Sequence, residues 1–371
     1  MRSFALAAVI VLASGCAAAP AAVPGTAGSS VTPPRVILFI GDGVGLAYWS
    51  AALFTDGALA VARASEIGIV DPRNSDGHIT DSAAGATVYA IGERTFNGAI
   101  GVAADSTPRE TILERAEDRG MATGLVATSS ITHATPASFA AHMTSRSMEP
   151  EIAAQMAEQG IEVLLGGGLG FFDGSLRPDG RNLLAELRAD YTVVTESAEL
   201  RALALDTVDA LLGLFATNNP PAADARGFTL TELTTAALTI LDHDDDGFLL
   251  VVEASQPDWR GHDNEPIESV VAEMRDFDAA IGAALDYADT HPGTLVVVTA
   301  DHETGGLAIE QTADGQPFAD YTTTGHTGTL FPLFAHGPGA AAFGRLLGND
   351  EVGRLLRQAV DGGVAATSAT R

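Results

Sequence analysis

Carboxylate and imidazole side chains recur just after predicted strands in this sequence. Glu253, Asp258 and His262 share one short segment, which we expect to be a loop after a strand, and Asp301 and His302 are adjacent. Zn²⁺ binds imidazole nitrogen and carboxylate oxygen, whereas Mg²⁺ binds oxygen alone. Any one of these residues by itself more often caps a helix or faces water. Their joint occurrence therefore predicts a metal centre.

Ser82 is the candidate nucleophile, and it lies in the segment ITDSAAGAT, residues 79–87. The small residues after it favour a helix that packs closely against a sheet. A hydroxyl at a helix N-terminus faces the positive end of the helix dipole and free N–H groups, which favour an alkoxide or a bound phosphate. A plain Ser N-cap is the alternative. Ser82 has no Gly-x-Ser-x-Gly elbow, so a metal would have to activate it.

Short apolar runs rich in β-branched residues alternate with helical patterns along the chain. This alternation predicts a three-layer α/β/α sandwich with a large, mostly parallel central sheet. In such sheets the chemistry lies beyond the carboxyl ends of the strands, and polar residues follow four of the five runs. The predicted strands are 36–40, 124–127, 163–165, 248–252 and 295–299, and the predicted helices are 111–119, 149–159, 229–241, 268–288 and 351–360.

Taken together, these segments resemble the alkaline phosphatase family over nearly the whole chain after its leader. Residues 79–87 fit that family's nucleophile signature at every position. The other matching motifs follow in the family's order: Gly-Asp42-Gly, Thr132-His133-Ala-Thr135-Pro, Thr144-Ser-Arg146, Glu253-x4-Asp258-x3-His262, Thr299-Ala-Asp301-His302-Glu-Thr-Gly-Gly and Gly325-His326-Thr.

The resemblance implies hydrolysis of small phosphate monoesters to an alcohol and inorganic phosphate, through a phosphoserine on Ser82. Arg146 would bind two phosphate oxygens with its planar guanidinium, and Asp81 would orient that arginine. The resemblance also implies two zinc ions and one magnesium ion. Their ligands would be Asp258, His262 and His326 for the first zinc, Asp42, Asp301 and His302 for the second, and Asp42, Thr135 and Glu253 for magnesium.

Two residues depart from the enterobacterial pattern and resemble those of some marine bacterial enzymes. His133 replaces an aspartate of the magnesium site, so we expect the third site to hold Mg²⁺ through waters or to take Zn²⁺. Trp259 replaces a Lys or His that contacts phosphate, which predicts weaker binding of product phosphate. The segment between His302 and His326 is too short for the large surface domain of animal members. The resemblance leaves a homodimer open, but we do not expect its contacts to come from that surface domain.

The charge balance excludes one class of partner. With 48 acidic residues against 20 basic ones, the net charge is -28. A basic surface for nucleic acid or anionic lipid is therefore not expected. The length of 371 residues suits a single large α/β enzyme.

The N-terminus has the pattern of an export signal. Residues 1–15 read as a signal peptide, in which an apolar run precedes Cys16, the only cysteine. That cysteine resembles the lipidated residue of bacterial lipoproteins, and ordinary cleavage in the Ala-rich stretch after it is the alternative. Residues 16–34 read as a flexible Ala/Pro/Gly/Ser tether, and 35–371 as a single catalytic domain. We expect an exported, periplasmic or cell-envelope lipoprotein that contacts the membrane only through an N-terminal lipid anchor.

Several features of the sequence also fit other sites or functions, but less well. Residues 242–253 satisfy the EF-hand formula, but a strand pattern stands where the exiting helix is required, so they are interpreted as an acidic turn. A sulfatase would need a Cys/Ser-x-Pro-x-Arg setting that Ser82 lacks, and phosphodiesterases usually carry a threonine nucleophile without the equivalent of Arg146. A non-catalytic lipoprotein that binds phosphate or metal is the remaining rival. The histidines outside the motifs were interpreted as structural or exposed: His78, His142, His243, His291 and His336.

Overall fold

The apolar runs of the sequence form the middle of a ten-stranded sheet in the computed structural model, which describes residues 33–363. Cys16, the predicted signal peptide and most of the predicted tether lie outside these residues. The strands are β1 Arg35–Gly41, β2 Glu66–Asp71, β3 Ala122–Ser130, β4 Val163–Gly167, β5 Thr192–Val194, β6 Leu211–Leu214, β7 Phe248–Ala254, β8 Thr294–Ala300, β9 Glu303–Thr304, β10 Leu307–Gln311, β11 Pro317–Tyr321, β12 His326–Thr327, β13 Phe331–His336 and β14 Leu346–Gly348.

The large sheet has the strand order β14-β2-β13-β8-β1-β7-β3-β4-β6-β5. All its pairings are parallel except those of β13, which runs antiparallel to both of its neighbours. Every residue of β7 and β8 is buried, as expected for strands covered on both faces. The fold is therefore the predicted α/β class with a large, mostly parallel central sheet.

Helices cover both faces of this sheet. On one side α10 packs against α1 and α8, and on the other α2 packs against α4 and α11. No helix among residues 33–363 is long and apolar enough to cross a bilayer. The helices are α1 Leu46–Asp56, α2 Ser82–Ile91, α3 Ile112–Glu117, α4 Ala134–Ala140, α5 Glu149–Gln159, α6 Leu183–Leu187, α7 Ser197–Ala202, α8 Leu230–Leu241, α9 Gln256–His262, α10 Ile267–Thr290 and α11 Asn349–Val360.

Side-chain caps fix the starts of several helices. The Asp81 carboxylate accepts a hydrogen bond from the Ala84 N–H and caps α2. A capping box of Thr111 and Glu114 opens α3, because each side chain bonds the other residue's backbone N–H. The cap at Asp81 matters for function, because it sets where α2 begins and so places Ser82 in its first turn.

Candidate active site

Ser82 is buried at the start of α2, and its hydroxyl lies at the carboxyl edge of the large sheet. Its Oγ lies 3.2 Å from Nε2 of His302 and 3.4 Å from Oδ1 of Asp42. Gly85 permits this approach, since a Cβ there would lie 2.9 Å from the Cβ and the carbonyl oxygen of Asp301. The small residues after Ser82 therefore let α2 lie against the end of β8, as the sequence predicted.

Asp42, Asp301 and His302 meet because they follow β1 and β8, which are neighbouring parallel strands. Nε2 of His302 lies 3.4 Å from Oδ1 of Asp42 and 3.3 Å from Oδ2 of Asp301. All three side chains are fully buried, and their ligand atoms lie within 4.8 Å of one another. Three ligand-type groups therefore converge beside Ser82.

Asp258, His262 and His326 form a second cluster next to the first. Asp258 and His262 lie one turn apart on α9, not on a loop as the sequence suggested, and His326 opens the two-residue strand β12. Asp258 Oδ2 lies 3.3 Å from Nε2 of His262, and its Oδ1 lies 3.7 Å from Nε2 of His326. The ligand atoms of Asp258, His326 and His302 also lie within 4.8 Å of one another, so the two clusters are contiguous.

Asp42, His133 and Glu253 bring ligand atoms together in a third cluster, again within 4.8 Å. Glu253 stands near the end of β7, and its Oε2 accepts hydrogen bonds from Ser255 at 2.6 Å and Ser129 at 3.2 Å. Thr135, buried in α4, completes the predicted set. All nine predicted metal-ligating residues thus border one edge of the sheet.

Arg146 lies beside this centre, on the segment that follows α4. Its Nη1 lies 3.4 Å from Oδ2 of Asp81, and its Nη2 donates to Nε2 of His133 at 3.1 Å. Both carboxylate oxygens of Asp81 also accept from the Gly98 N–H at 3.0 Å. Trp259 packs edge-on against His133, with ring centroids 6.2 Å apart. The guanidinium therefore contacts Asp81, the residue before Ser82 and the neighbour that the resemblance assigned to it.

Burial and mutual repulsion raise the pKa values of three site carboxylates, whereas at Asp258 burial is outweighed by the hydrogen bond to His262 and the pKa is lowered. Burial, with the charges of Asp301 and Asp258, raises the pKa of Asp42 well above its usual range. Burial likewise raises the pKa of Glu253 to about 7 and that of Asp301 to about 6. Clustered buried carboxylates destabilise one another unless a cation neutralises them. The electrostatics therefore favour cation binding.

Burial favours the neutral form of His302 and of His326, whereas Asp258 favours the charged form of His262. Burial lowers the pKa of His302 to about 4. Nδ1 of His262 lies 2.6 Å from the carbonyl of Thr324, and Nδ1 of His326 lies 3.0 Å from the carbonyl of Thr80. A carbonyl can only accept, so each Nδ1 carries a proton, and the lone pair of the neutral ring lies on Nε2. This is the usual second contact of a metal-binding histidine. The hydrogen bond to Asp258 raises the pKa of His262 to about 9, so a metal ion would have to displace a proton from that Nε2.

Thr304 is a site residue that sequence reasoning missed. Its hydroxyl donates to Oδ1 of Asp258 at 2.5 Å and lies 3.2 Å from Nδ1 of His302. Because the hydroxyl has only one proton, it accepts from His302 and leaves Nε2 of that ring unprotonated. Thr304 belongs to the matching motif 299–306, so its place in the motif was a signal that could have been used.

Comparisons with known proteins agree on one family. A family model described as alkaline phosphatase matches residues 34–319. Alkaline phosphatase 3 of Bacillus subtilis (strain 168) is 40% identical over 324 residues, which cover 82% of this chain and 68% of that protein. The structure of the alkaline phosphatase from the Antarctic bacterium TAB5 is similar, with a TM-score of 0.82 and 38% identity, over 89% of this chain and 98% of that one.

Two variants of the TAB5 enzyme are also similar to this chain, each with a TM-score of 0.81 and 38% identity. In them one histidine is replaced by aspartate or by glutamate, and magnesium is bound in a site named M3. Family model, relatives and fold all point the same way. The chain therefore belongs to the alkaline phosphatase family and is a phosphatase.

Proposed function

We propose that this chain hydrolyses phosphate monoesters through a phosphoserine on Ser82, at a centre of two zinc ions and one magnesium ion. The observation that carries the proposal is the position of the Ser82 hydroxyl, within 3.4 Å of both Asp42 and His302. Asp42 also belongs to the cluster with His133 and Glu253. The ligand atoms of His302 also lie within 4.8 Å of those of Asp258 and His326. A nucleophile and its activating groups are thus within reach of one phosphorus atom.

The residues present fit metal ions. Five buried polar atoms among residues 33–363 lack a hydrogen-bond partner within these ligand sets: Oδ2 of Asp42, Oδ2 of Asp301, Oε1 of Glu253, Oγ1 of Thr135 and Nδ1 of His133. An unpartnered buried polar atom is costly, and four of these are oxygens, which Mg²⁺ and Zn²⁺ both accept. Metal coordination would satisfy the four oxygens.

The donor chemistry divides the ions among the clusters. Asp258, His262 and His326 offer nitrogen and oxygen, which suits zinc. Asp42, Asp301 and His302 offer the same mixture, so they suit a second zinc. The third cluster is mainly oxygen from Asp42, Thr135 and Glu253, which suits magnesium.

When bound, these ions would lower the pKa of the serine hydroxyl and offset the negative charge of the phosphate oxygens. Residues of the chain supply the nucleophile and the groups that bind the phosphate. Ser82 attacks phosphorus as the ester oxygen leaves, and water later hydrolyses the phosphoserine to regenerate the serine. The N-terminus of α2 directs free N–H groups toward the phosphate. Arg146 binds two phosphate oxygens through its planar fork, and Asp81 holds that fork in place.

His133 lowers the selectivity that we expect of the third site for magnesium. Arg146 donates to its Nε2, so its neutral ring carries the proton on Nδ1 and would act on a cation only through water. The TAB5 variants that bind magnesium in M3 carry a carboxylate in place of a histidine. We infer that His133 weakens magnesium selectivity here and that zinc can compete for the site.

Substrate comparison separates the proposed activity from its rivals. The purified protein would be assayed with p-nitrophenyl phosphate, bis(p-nitrophenyl) phosphate and p-nitrophenyl sulfate, with and without EDTA. We expect hydrolysis of the monoester alone, with loss of activity in EDTA and recovery with Zn²⁺ and Mg²⁺. A preference for the diester or the sulfate would contradict the proposal, and so would hydrolysis of none of the three.

Export rests on the sequence alone, and we propose that Cys16 carries the lipid anchor of an exported enzyme. Metabolic labelling with a radioactive fatty acid, in cells that express the full chain, tests this. We expect label in the wild type and none in Cys16→Ser. Equal labelling of both would contradict the anchor, and recovery of all activity in the cytoplasmic fraction would contradict export.

A further inference from the structure

His142 lies between two hydrogen-bond acceptors. It is the first residue of the Arg146 segment, residues 142–146. Its Nδ1 is 2.7 Å from the carbonyl oxygen of Gly101, and its Nε2 is 2.8 Å from Oε1 of Glu114. A carbonyl oxygen has no proton to give, so Nδ1 must carry one. Gly101 has a φ of +57°, and a Cβ there would lie 2.9 Å from Nδ1 of His142. Only glycine therefore permits this contact.

The second ring nitrogen must be protonated as well. Oε2 of Glu114 accepts from the Thr111 N–H at 2.8 Å, and Oε1 also accepts from Nε2 of Gln159 at 3.1 Å. Because donors occupy both oxygens, Glu114 is a carboxylate and Nε2 of His142 is the donor. The ring is then an imidazolium with two charge-assisted hydrogen bonds. The hydrogen bond to Glu114 raises the pKa of His142, and burial opposes this more weakly.

The charged surroundings of the ring are simple. Among residues 33–363, Glu114 on α3 is the only charged group at hydrogen-bond distance from the ring. From α5 the neutral Gln155 accepts from the backbone N–H of His142 at 2.7 Å. The other carboxylates of that surface line a cavity of about 600 Å³ with Glu114: Glu110, Glu117, Asp118 and Glu158. Arg357 pairs with Glu110 and Arg181 with Glu158. The field at His142 is thus negative and favours the imidazolium.

Residues 98–101 connect this ring to the phosphate side of the molecule. Ile100 and Met143 exchange two backbone hydrogen bonds of 2.9 Å, and the Arg146 N–H donates to the Gly98 carbonyl at 2.9 Å. The Gly98 N–H in turn donates to Asp81, which faces Arg146. These backbone hydrogen bonds join residues 98–101 to residues 142–146, with His142 at one end of the second segment and Arg146 at the other.

We propose that His142 is a positioning residue that, as an imidazolium bound to Gly101 and Glu114, holds the Arg146 segment in the geometry that binds phosphate. This inference rests on the proposed function, because Arg146 is taken as the phosphate ligand. Deprotonation removes one of the two donors, so the segment loosens as the pH rises through the raised pKa. Phosphate binding then weakens as the pH rises through that pKa, beyond the effect of pH on phosphate itself.

A double-mutant cycle tests the coupling in the metal-loaded enzyme. The variants are His142→Gln, Arg146→Ala and both together, with His243→Gln on the acidic turn before β7 as the control. Calorimetry gives the Kd of inorganic phosphate, and p-nitrophenyl phosphate gives KM and kcat. We expect His142→Gln to weaken phosphate binding about tenfold and to raise KM with little change in kcat, within the usual coupling of residues in one hydrogen-bond network. In the Arg146→Ala background the same change should have almost no effect.

Two outcomes would overturn the role of His142: an unchanged Kd in His142→Gln, or an equal loss in both backgrounds. NMR titration of the His142 ring covers the case of a variant that fails to fold. We expect a pKa above 6.5 in the wild type and a lower one in Glu114→Gln, and a wild-type value at or below 6.5 would overturn the imidazolium. A wild type that binds phosphate but hydrolyses no ester would overturn the proposed function instead.

Discussion

Ser82 Oγ and His302 Nε2 lie 3.2 Å apart, although 220 positions separate the two residues in the chain. The sheet order explains this proximity. His302 comes immediately after Asp301, the first residue after β8, and Gly85 lets the first turns of α2 contact Asp301. One helix N-terminus and one strand end thus place the proposed nucleophile beside a proposed ligand.

Replacing Ser82 with alanine should abolish phosphomonoester hydrolysis while preserving the fold. The hydroxyl is the only group lost, and α2 keeps its cap because Asp81 supplies it. We expect kcat to fall on the order of 10³-fold or more, as for other nucleophile deletions. Zinc content and melting temperature should stay near wild type, with Ser50→Ala in the middle of α1 as control. Substantial residual turnover would show that Ser82 is not the nucleophile.

Replacing Asp81 separates its structural role from its effect on Arg146. Asp81→Asn keeps an oxygen that can cap α2 but removes the charge that faces the guanidinium. We expect KM to rise several-fold with little loss of stability. Asp81→Ala also removes the cap and should cost about 1 kcal/mol of unfolding free energy. The kinetics of both variants and their urea unfolding curves give the comparison. Equal KM values for Asn and wild type would contradict the orienting role.

The motifs and the buried strands could be predicted from the sequence because their signals are local. Each of the five apolar runs lies in a strand of the large sheet, because a short, continuous run of apolar and β-branched residues is typical of a strand that is buried on both faces. β2 and β13 were not predicted. β2 alternates between buried and exposed residues near the sheet edge, and β13 contains Pro332, which weakens a strand pattern.

The contacts between distant segments could not be read from the sequence in the same way. Nothing local indicates that Gly101 and Glu114 approach His142, so that histidine was grouped with the structural or exposed ones. The segment of Asp258 and His262 was expected to be a loop, but it forms α9, in which Pro257 lies in the first turn, where proline is tolerated. The spacing of Asp258 and His262 was nevertheless compatible with one helical face.

Replacing His133 with aspartate should increase the preference of the third site for magnesium. The change replaces a ring that accepts from Arg146 with a carboxylate, which is a hard oxygen ligand. We expect elemental analysis after dialysis against both metals to show more magnesium and less zinc per chain than in the wild type. His243→Asp on the exposed turn is the matched control. An unchanged ratio would place the third ion away from His133.

Glu117 should make the protein less stable as the pH rises from about 5 to 8. Burial raises its pKa from 4.5 to about 7, helped by the neighbouring carboxylates of Glu162 and Asp118, although Thr123 donates to it. The fold therefore favours the protonated form. The stability gained from it is complete below 4.5 and is lost as the pH passes through 7.

Glu117→Gln removes this titration, since the amide is neutral at every pH and can still accept from Thr123. The variant should match the wild type near pH 5. At pH 8 it should exceed the wild type by about 1–2 kcal/mol of unfolding free energy, a value discounted for the partial exposure of the group. Urea unfolding at pH 5, 6, 7 and 8 measures the difference, with Glu310→Gln on the exposed strand β10 as control. A difference between variant and wild type that stays constant with pH would mean that Glu117 titrates as it does in the unfolded chain.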